Sequence, residues 1–371
     1  MFINNQFFKI FRYMGLKIGI ISMGSKSSRM ILEEADNFFD EADHIDIRKI
    51  EVKIDDKTTV LYDGEPLKDY DCLYMRGSFR YSSLLYAISE HFKDKCYVPL
   101  EANSHVIAHD KFKTHLKLSQ VSSIKMPATY FTAKITETKS FLKTLNYPII
   151  LKFPSGTHGK GVIFAESYSS AASMVDALDV FSQPVLIQDY IHINSDIRVI
   201  VAGDKIIGAM RRFAQKGEVR ANSHQGGDAE PYLVTPEVKR MSIDAAKKIK
   251  ADVCAIDLIE SDYGPQILEV NSSPGLQKIT ETTKKNIAGE IAHFLFEETL
   301  RRKDLKNKSD SKDLNKDMGI EEIGSRDLVT ELKMNAGRII LPEFASKQSE
   351  FWPGEEVVVK TSKGKIEITK G

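Results

Sequence analysis

A dense run of oxygen-bearing side chains occupies AIDLIESDYGPQILEVNSSPG, residues 255–275. Asp257 lies on one apolar run, and Glu269 and Asn271 lie two residues apart on the next. In a β-strand that spacing puts Glu269 and Asn271 on one face. A tight turn at Tyr263-Gly264 folds the two runs together and lets Asp257 approach from the paired strand. Two carboxylates and an amide oxygen make a hard oxygen cluster suited to Mg²⁺ that keeps water and phosphate oxygens as its other ligands. Taken alone, Asp257 reads rather as a polar residue alternating on a half-exposed sheet face, and it is the unit DLIE…ILEVNSSPG that points to a metal.

A second segment, KFPSGTHGKG, runs from Lys152 to Gly161. A lysine ends a strand, and a glycine-rich loop leads into the next one. Glycines allow close backbone approach to phosphates, and peptide N–H groups supply donors. The lysine precedes the glycines, so this is not a Walker loop. A glycine-rich β-hairpin is also, more simply, a turn.

The elements that must position these residues can be read from the pattern around them. From Leu16, LKIGIISMG reads as a strand, and SRMILEEADNFF after it as a helix, a βα unit of a parallel sheet. A hairpin at Asp63-Gly64, the strand DCLYMRG and a mainly helical stretch over 79–121 complete a first α/β domain. Strands PATYF, YPIILKF, GVIFAES and PVLIQDY follow, with helices near 136–146 and 169–180. DIRVIVAGDKIIGAMRR turns at Gly203-Asp204, a helix covers about 236–250, and the last helix of this part runs from about Thr283 to Arg302.

Composition bounds the partners. Lys plus Arg equals Asp plus Glu at 52 each, which argues against non-specific nucleic-acid binding as the main task. Three cysteines, Cys72, Cys96 and Cys254, stand far apart, so neither a disulfide framework nor a zinc site is expected, as in a reducing cytosol. No apolar run approaches the roughly 20 residues of a membrane span. Met1 to Tyr13 reads as an extension ahead of a start at Met14.

The ordered set HDK, LKFPSGTHGKGV, LIQDYI, SDIRVIVAGDK, MRRFAQKGEVRANSHQGG, AIDLIE and LEVNSSPGL resembles the ATP-grasp ligases, and more narrowly the RimK-type L-glutamate ligases, over about residues 16–300. That resemblance implies an α/β (α+β) chain with an ATP-grasp fold. It divides into an extension (1–13), a pre-ATP-grasp domain (14–108), a lid subdomain (109–190) and a C-terminal ATP-grasp subdomain (191–303). It also implies ATP and two Mg²⁺ (or Mn²⁺) ions as cofactors. Lys111 and Lys152 match the lysines that hold nucleotide phosphates, and the loop Ser155 to Gly161, with Gly156 and Gly159, closes over them. Gln188, Asp189 and Tyr190 match the hinge whose backbone recognises adenine, and Asp196 the acid on the ribose hydroxyls. Arg220, Ala221 and Asn222 fall on the nucleotide-contacting stretch near the transferred phosphate. Asp257, Glu269 and Asn271 match the metal ligands, and Arg198, Arg211 and Arg212 resemble charge partners for an acyl phosphate and substrate carboxylates. Two positions depart from the family. Asp189 replaces a hinge glutamate, and Gln225 replaces an arginine in HQGG, which leaves the choice of amino acid open.

Beyond this body, 304–327 is charged, poor in large apolar residues, and reads as a solvated linker. Residues 328–371 regain strand character, and LKMNAGRIILPEF…WPGEEVVVKTSKGKIEIT resembles the AbrB-type swapped-hairpin module, a small β tail. The resulting expectation is a cytoplasmic, homo-oligomeric ligase that activates a carboxylate as an acyl phosphate and joins it to an amine. The foremost form adds L-glutamate to a carboxylate-bearing protein or small-molecule acceptor. Alternatives are a carrier protein of lysine synthesis, a coenzyme's glutamyl tail, or a DNA-binding regulator that senses nucleotide through the same body. No membrane partner is expected, and nucleic acid is not the favoured one.

Overall fold

The computed structural model describes residues 15–132, 135–155, 161–180, 184–192, 195–214, 228–317, 333–335, 338–340, 357–362 and 365–370. The expected extension, 1–13, lies outside them. The chain divides into two compact units, Met1–Lys308 and Ser309–Gly371.

In the first unit β1 (Lys17–Ser22) is the middle strand of a parallel sheet, between β2 (Glu41–Asp46) and β6 (Cys72–Met75). A strand flanked on both sides and buried on both faces needs a continuous apolar run, which Ile18 to Ile21 supplies. The helix α1 (Lys26–Ala35) starts at Ser25, whose side chain accepts from the Ser28 amide. The edge strand β2, EADHID, escapes a pattern search because it is polar and paired on one side only. A small antiparallel sheet, β3 (Ile50–Ile54), β4 (Thr58–Tyr62) and β5 (Glu65–Pro66), turns at Asp63 and Gly64. Both have positive φ, 51° and 85°, as a primed hairpin turn requires. Helices α2 (Ser82–Phe92), α3 (Ala102–Ala108) and α4 (Lys111–Leu118) follow.

Next comes an antiparallel sheet in the order β7 (Thr129–Phe131), β10 (Leu186–Asp189), β8 (Ile149–Lys152), β9 (Val162–Ala165). Helices α5 (Ile135–Leu142) and α6 (Tyr168–Val180) share its core, which contains Leu142, Ile149, Leu151, Val175 and Ile187.

A second antiparallel sheet has the order β13 (Ala229–Pro231), β12 (Lys205–Phe213), β11 (Ser195–Ala202), β14 (Val253–Ser261), β15 (Gly264–Asn271). The helix α7 (Pro236–Ile249) packs Val238, Met241, Ala245 and Ile249 inward, with Thr235 as its side-chain cap. One hydrophobic core joins Leu16, Ile18 and Ile20 to Val199, Val201 and Ile256 and on to Ile291 and Leu295. The parallel sheet and this sheet are therefore one packed body.

The last helix differs from expectation. A short α8 (Gln277–Thr283) ends at Lys284, which has a left-handed φ of 57°. Then α9 runs from Ile287 to Asp317, past Arg302 and through half of the charged stretch. Its sequence has no glycine or proline between Gly289 and Gly319, so nothing breaks the helix. In the second unit β16 (Lys333–Asn335) pairs with β17 (Arg338–Ile340), and β18 (Val357–Ser362) with β19 (Lys365–Lys370). The expected strand residues 328–332 lie outside the described residues. Among the described residues, no helix is long and apolar enough to cross a membrane.

Candidate functional site

One face of the five-stranded sheet concentrates charge. Asp196 faces Arg212 across the β11–β12 pair, Arg198 faces Asp257 across β11–β14, and Asp257 faces Glu269 across β14–β15. Directly opposed residues of an antiparallel pair share a face, so these five form a row across four strands. Arg198 holds Asp257 with both carboxylate oxygens, Nε to Oδ1 at 2.7 Å and Nη2 to Oδ2 at 2.6 Å. Arg212 holds Asp196 the same way, at 2.5 and 2.8 Å, and reaches Asp257 at 3.1 Å. Burial alone would raise the Asp257 carboxyl, but Arg198 and Arg212 outweigh it and hold it at about 2. For Asp196, burial raises the carboxyl more than Arg212 lowers it. Two buried acids and two partly buried arginines satisfy each other in two bidentate pairs.

Glu269 joins the row only because β15 is irregular. The turn between Ser261 and Gly264 pairs Leu258 with Ile267, so regular counting would put Leu268 opposite Asp257. Instead Asp257 faces Glu269, and Leu268 is an extra residue, a β-bulge. Without it Glu269 would stand on the other face of the sheet. Asn271 follows on the side of Glu269, and its Oδ1 accepts from the Ser273 amide at 3.0 Å. Glu269 and Asn271 are half-buried, whereas Asp257 is closed in by its arginines. The set of two acids and an amide is hard-oxygen in character and fits a divalent cation in donor type. Among the described residues, no three His, Cys, Asp or Glu side chains come together at metal-binding spacing.

The two lysines approach the same region from other elements. Lys111 begins α4, and its amide donates to the Pro154 carbonyl, just beyond the end of β8 where Lys152 sits. Burial lowers the Lys152 ammonium to about 8, with Glu269 opposing the shift and Lys111 adding to it. Lys152 therefore feels both Glu269 and Lys111 electrostatically. Lys152 Nζ donates to Gln188 Oε1 on the neighbouring strand.

The two ends of the glycine-rich segment are paired, the Phe153 amide donating to the Gly161 carbonyl at 2.9 Å where β8 meets β9. Gly161 has φ +80°, and a Cβ there would sit 2.2 Å from the Phe153 ring, so both conformation and space require glycine. Ser155 is exposed at the near end, while Gly156 and Gly159 lie outside the described residues. Gln188 is buried, Asp189 is exposed at the end of β10, and Tyr190 lies edge-on to Phe164 with ring centroids 4.9 Å apart. Arg220, Ala221 and Asn222 also lie outside the described residues.

Arg211 does not join Arg198 and Arg212. Neighbours on a strand alternate faces, and Arg211 pairs instead with Glu260, stacks over Tyr232 at 5.2 Å and donates to Ser195 Oγ at 3.1 Å. Asp196 is engaged by Arg212 rather than open to a ribose.

Pattern reading missed the residues that grip this site from behind. Buried Arg76, past the end of β6, donates to the Pro274 carbonyl at 2.6 Å and to Ser28 Oγ at 3.2 Å. The Gly77 amide donates to Ser273 Oγ, and the Leu276 amide to Ser27 Oγ. The first domain thus fixes the NSSPG loop that follows Asn271. Buried His115 was missed too, although it stands one helical turn after Lys111, a spacing that places the two on one face.

Comparison with known proteins agrees with this architecture. The RimK-like ATP-grasp domain matches residues 108–295. A protein of Pseudoalteromonas translucida named probable alpha-L-glutamate ligase is 34% identical over 287 residues, 76% of this chain and 95% of its own length. A protein of the same name from Methanococcoides burtonii is 33% identical over the same shares. Among solved structures, the ATP-grasp ligase PsnB complexed with a phosphomimetic precursor variant, Mg and ADP superposes with a TM-score of 0.61 at 17% identity, covering 76% of this chain and 98% of PsnB. The D-alanine–D-alanine ligase of Bacillus anthracis complexed with ATP gives 0.56 at 17% identity, over 79% and 99%. The four-stranded sheet, the charged five-stranded sheet and the parallel-sheet domain together are the ATP-grasp fold, and the chain belongs to the RimK-like ATP-grasp family of carbon–nitrogen ligases.

Proposed function

We propose that this chain uses ATP to activate a carboxylate and joins it to the amino group of L-glutamate, on a protein or small-molecule acceptor. The observation that carries the reading is the row Arg212, Asp196, Arg198, Asp257 and Glu269, with Lys152 and Lys111 beside it. The relatives named as alpha-L-glutamate ligases support the choice of amino acid.

The acceptor carboxylate takes the terminal phosphoryl group of ATP, ADP leaves, and the amine then displaces phosphate from the acyl carbon. Lys111 and Lys152 meet the nucleotide phosphates as cations. Glu269 and Asn271, joined by Asp257, would hold Mg²⁺, which when bound neutralises charge on the transferring phosphoryl group. Arg198 and Arg212 both hold Asp257, and their guanidinium groups would meet anionic substrate oxygens on the same face as the cation ligands. Each such guanidinium contributes on the order of 3 kcal/mol of transition-state stabilisation. The hairpin around Ser155–Gly161 closes over the phosphates and keeps water from the acyl phosphate.

Incubation with ATP, magnesium and single amino acids, followed by mass spectrometry of candidate acceptors, tests the reading. The expected product is an acceptor carrying glutamyl residues, with matching ADP and phosphate. Addition of a different amino acid would overturn the glutamate assignment, and ADP formed with no acceptor modified would overturn ligation.

A further inference from the structure

A chain of hydrogen bonds connects Lys152 to the bulge in β15. Lys152 can only donate, so the Gln188 oxygen faces it and the Gln188 amide nitrogen points the other way. That nitrogen donates to Thr129 Oγ1 at 2.8 Å. Thr129 Oγ1 lies 3.1 Å from His115 Nδ1 and 3.0 Å from the Pro127 carbonyl, so its one hydrogen serves both acceptors. His115 Nε2 lies 3.2 Å from the carbonyl of Leu268. A carbonyl only accepts, so Nε2 carries the hydrogen and Nδ1 is left to accept from Thr129. Every link therefore donates in one direction, from the ammonium to the extra residue of the bulge.

Both ends of this chain matter to the site. Bulges leave a residue outside the regular ladder, and its polar groups need partners from elsewhere. Here the imidazole supplies one, and the residue it holds is the one whose insertion turns Glu269 toward Asp257. At the other end, the bond to Gln188 sets where the Lys152 ammonium stands. His115, Thr129 and Gln188 are all largely buried or half-buried, so water does not compete freely for these bonds.

We propose that His115 is a positioning residue that holds the phosphate-binding lysine and the cation-binding strand in mutual register, acting through Thr129 and Gln188 on one side and Leu268 on the other. This rests on the roles given above to Lys152 and Glu269. It assigns to α4 a task beyond carrying Lys111, and it links the four-stranded sheet to the charged sheet through a single side chain.

The test is the affinity for ADP in magnesium chloride, read by calorimetry, with thermal midpoints recorded for every variant. His115→Leu removes both imidazole bonds, and Thr129→Val removes the hydroxyl at almost unchanged volume. Each is expected to weaken ADP binding about tenfold. As links of one chain they should not add, so the double variant binds no more than about threefold worse than the weaker single. Should His115→Leu fail to fold, the near-isosteric Thr129→Val decides alone. ADP binding within twofold of the unaltered protein in the folded variants would overturn the proposal. Additive losses that track the thermal midpoints would also overturn it, since His115 would then be structural only. Lys152→Met separates the two levels: if it binds ADP as the unaltered protein does, the lysine assignment and the proposal fall together. If it binds poorly while Thr129→Val does not, only the positioning role fails.

Discussion

At the scale of single residues the site is defined by which charges answer each other. Asp257 already has two guanidinium partners, so Glu269 is the more accessible acid for a cation. Glu269→Ala is expected to lower ATP turnover at least about a hundredfold, the scale of one lost electrostatic contact in a dry site, with the thermal midpoint kept. Unchanged phosphate release in magnesium would remove Glu269 from the mechanism. Lys152 supplies a pH signature. Its folded value of about 8 lies below the ordinary 10.5, so between those limits the unfolded chain binds more protons than the unliganded fold. The unfavourable charging of this lysine is therefore fully present below about pH 8 and disappears as pH rises, and its contribution to stability increases across that window. Nucleotide phosphates favour the ammonium, so binding ADP should take up close to one proton at pH 9 and almost none at pH 7. Calorimetry in buffers of different ionisation enthalpy measures this uptake, and its persistence in Lys152→Met would assign it to another group.

At the scale of elements, the glycine hairpin and the sheet bulge show what a sequence discloses and what it hides. LEVNSSPG and KFPSGTHGKG were legible because their chemistry is local: a turn, a strand and a spacing of two. The approach of Asp257 to Glu269 from the paired strand was expected, but the register that achieves it was not legible, because counting back from the turn pairs Asp257 with Leu268. Only the bulge corrects that register, and the side chain on its carbonyl comes from a helix 153 positions away in sequence. The separation of Arg211 from Arg212 was readable from strand alternation, whereas the arginine–aspartate pairing depended on strand order, which spacing does not encode. The strand β2 was hidden by its polar edge composition. For the hairpin, Gly161→Ala imposes a strained φ and a clash with Phe153, a cost of about 1–3 kcal/mol. We expect faster hydrogen exchange confined to β8 and β9, with β11 and β14 unchanged. Uniform exchange across both sheets, or none altered, would show that the hairpin does not depend on this glycine.

At the scale of the whole molecule the question is what the second unit does. Ser309–Gly371 contributes two separate two-stranded hairpins among its described residues, β16–β17 and β18–β19. A two-stranded hairpin is marginal in water by itself, and short chains bury too little surface to stand alone. Val358 and Val359 are exposed, 47% and 53%, on a strand that opens with three valines in a row. Exposed apolar strands of this kind find partners, and the partner always present at equal concentration is another copy of the same chain, joined about a two-fold axis. The family resemblance covers the first unit, with the matched domain ending at residue 295, so ligation should not require the tail. Because α9 continues unbroken to Asp317, a cut at Arg302 would remove helix as well as tail, and truncation after Asp317 is the cleaner test. The full chain is expected to associate at least as a dimer, and the truncated chain to lose that association while keeping ATP-dependent ligation. Light scattering coupled to size exclusion reads the first, and product mass the second. Equal order of association in both chains would remove the tail as an assembly device. Loss of ligation on truncation would mean instead that the hairpins help to complete or gate the active site.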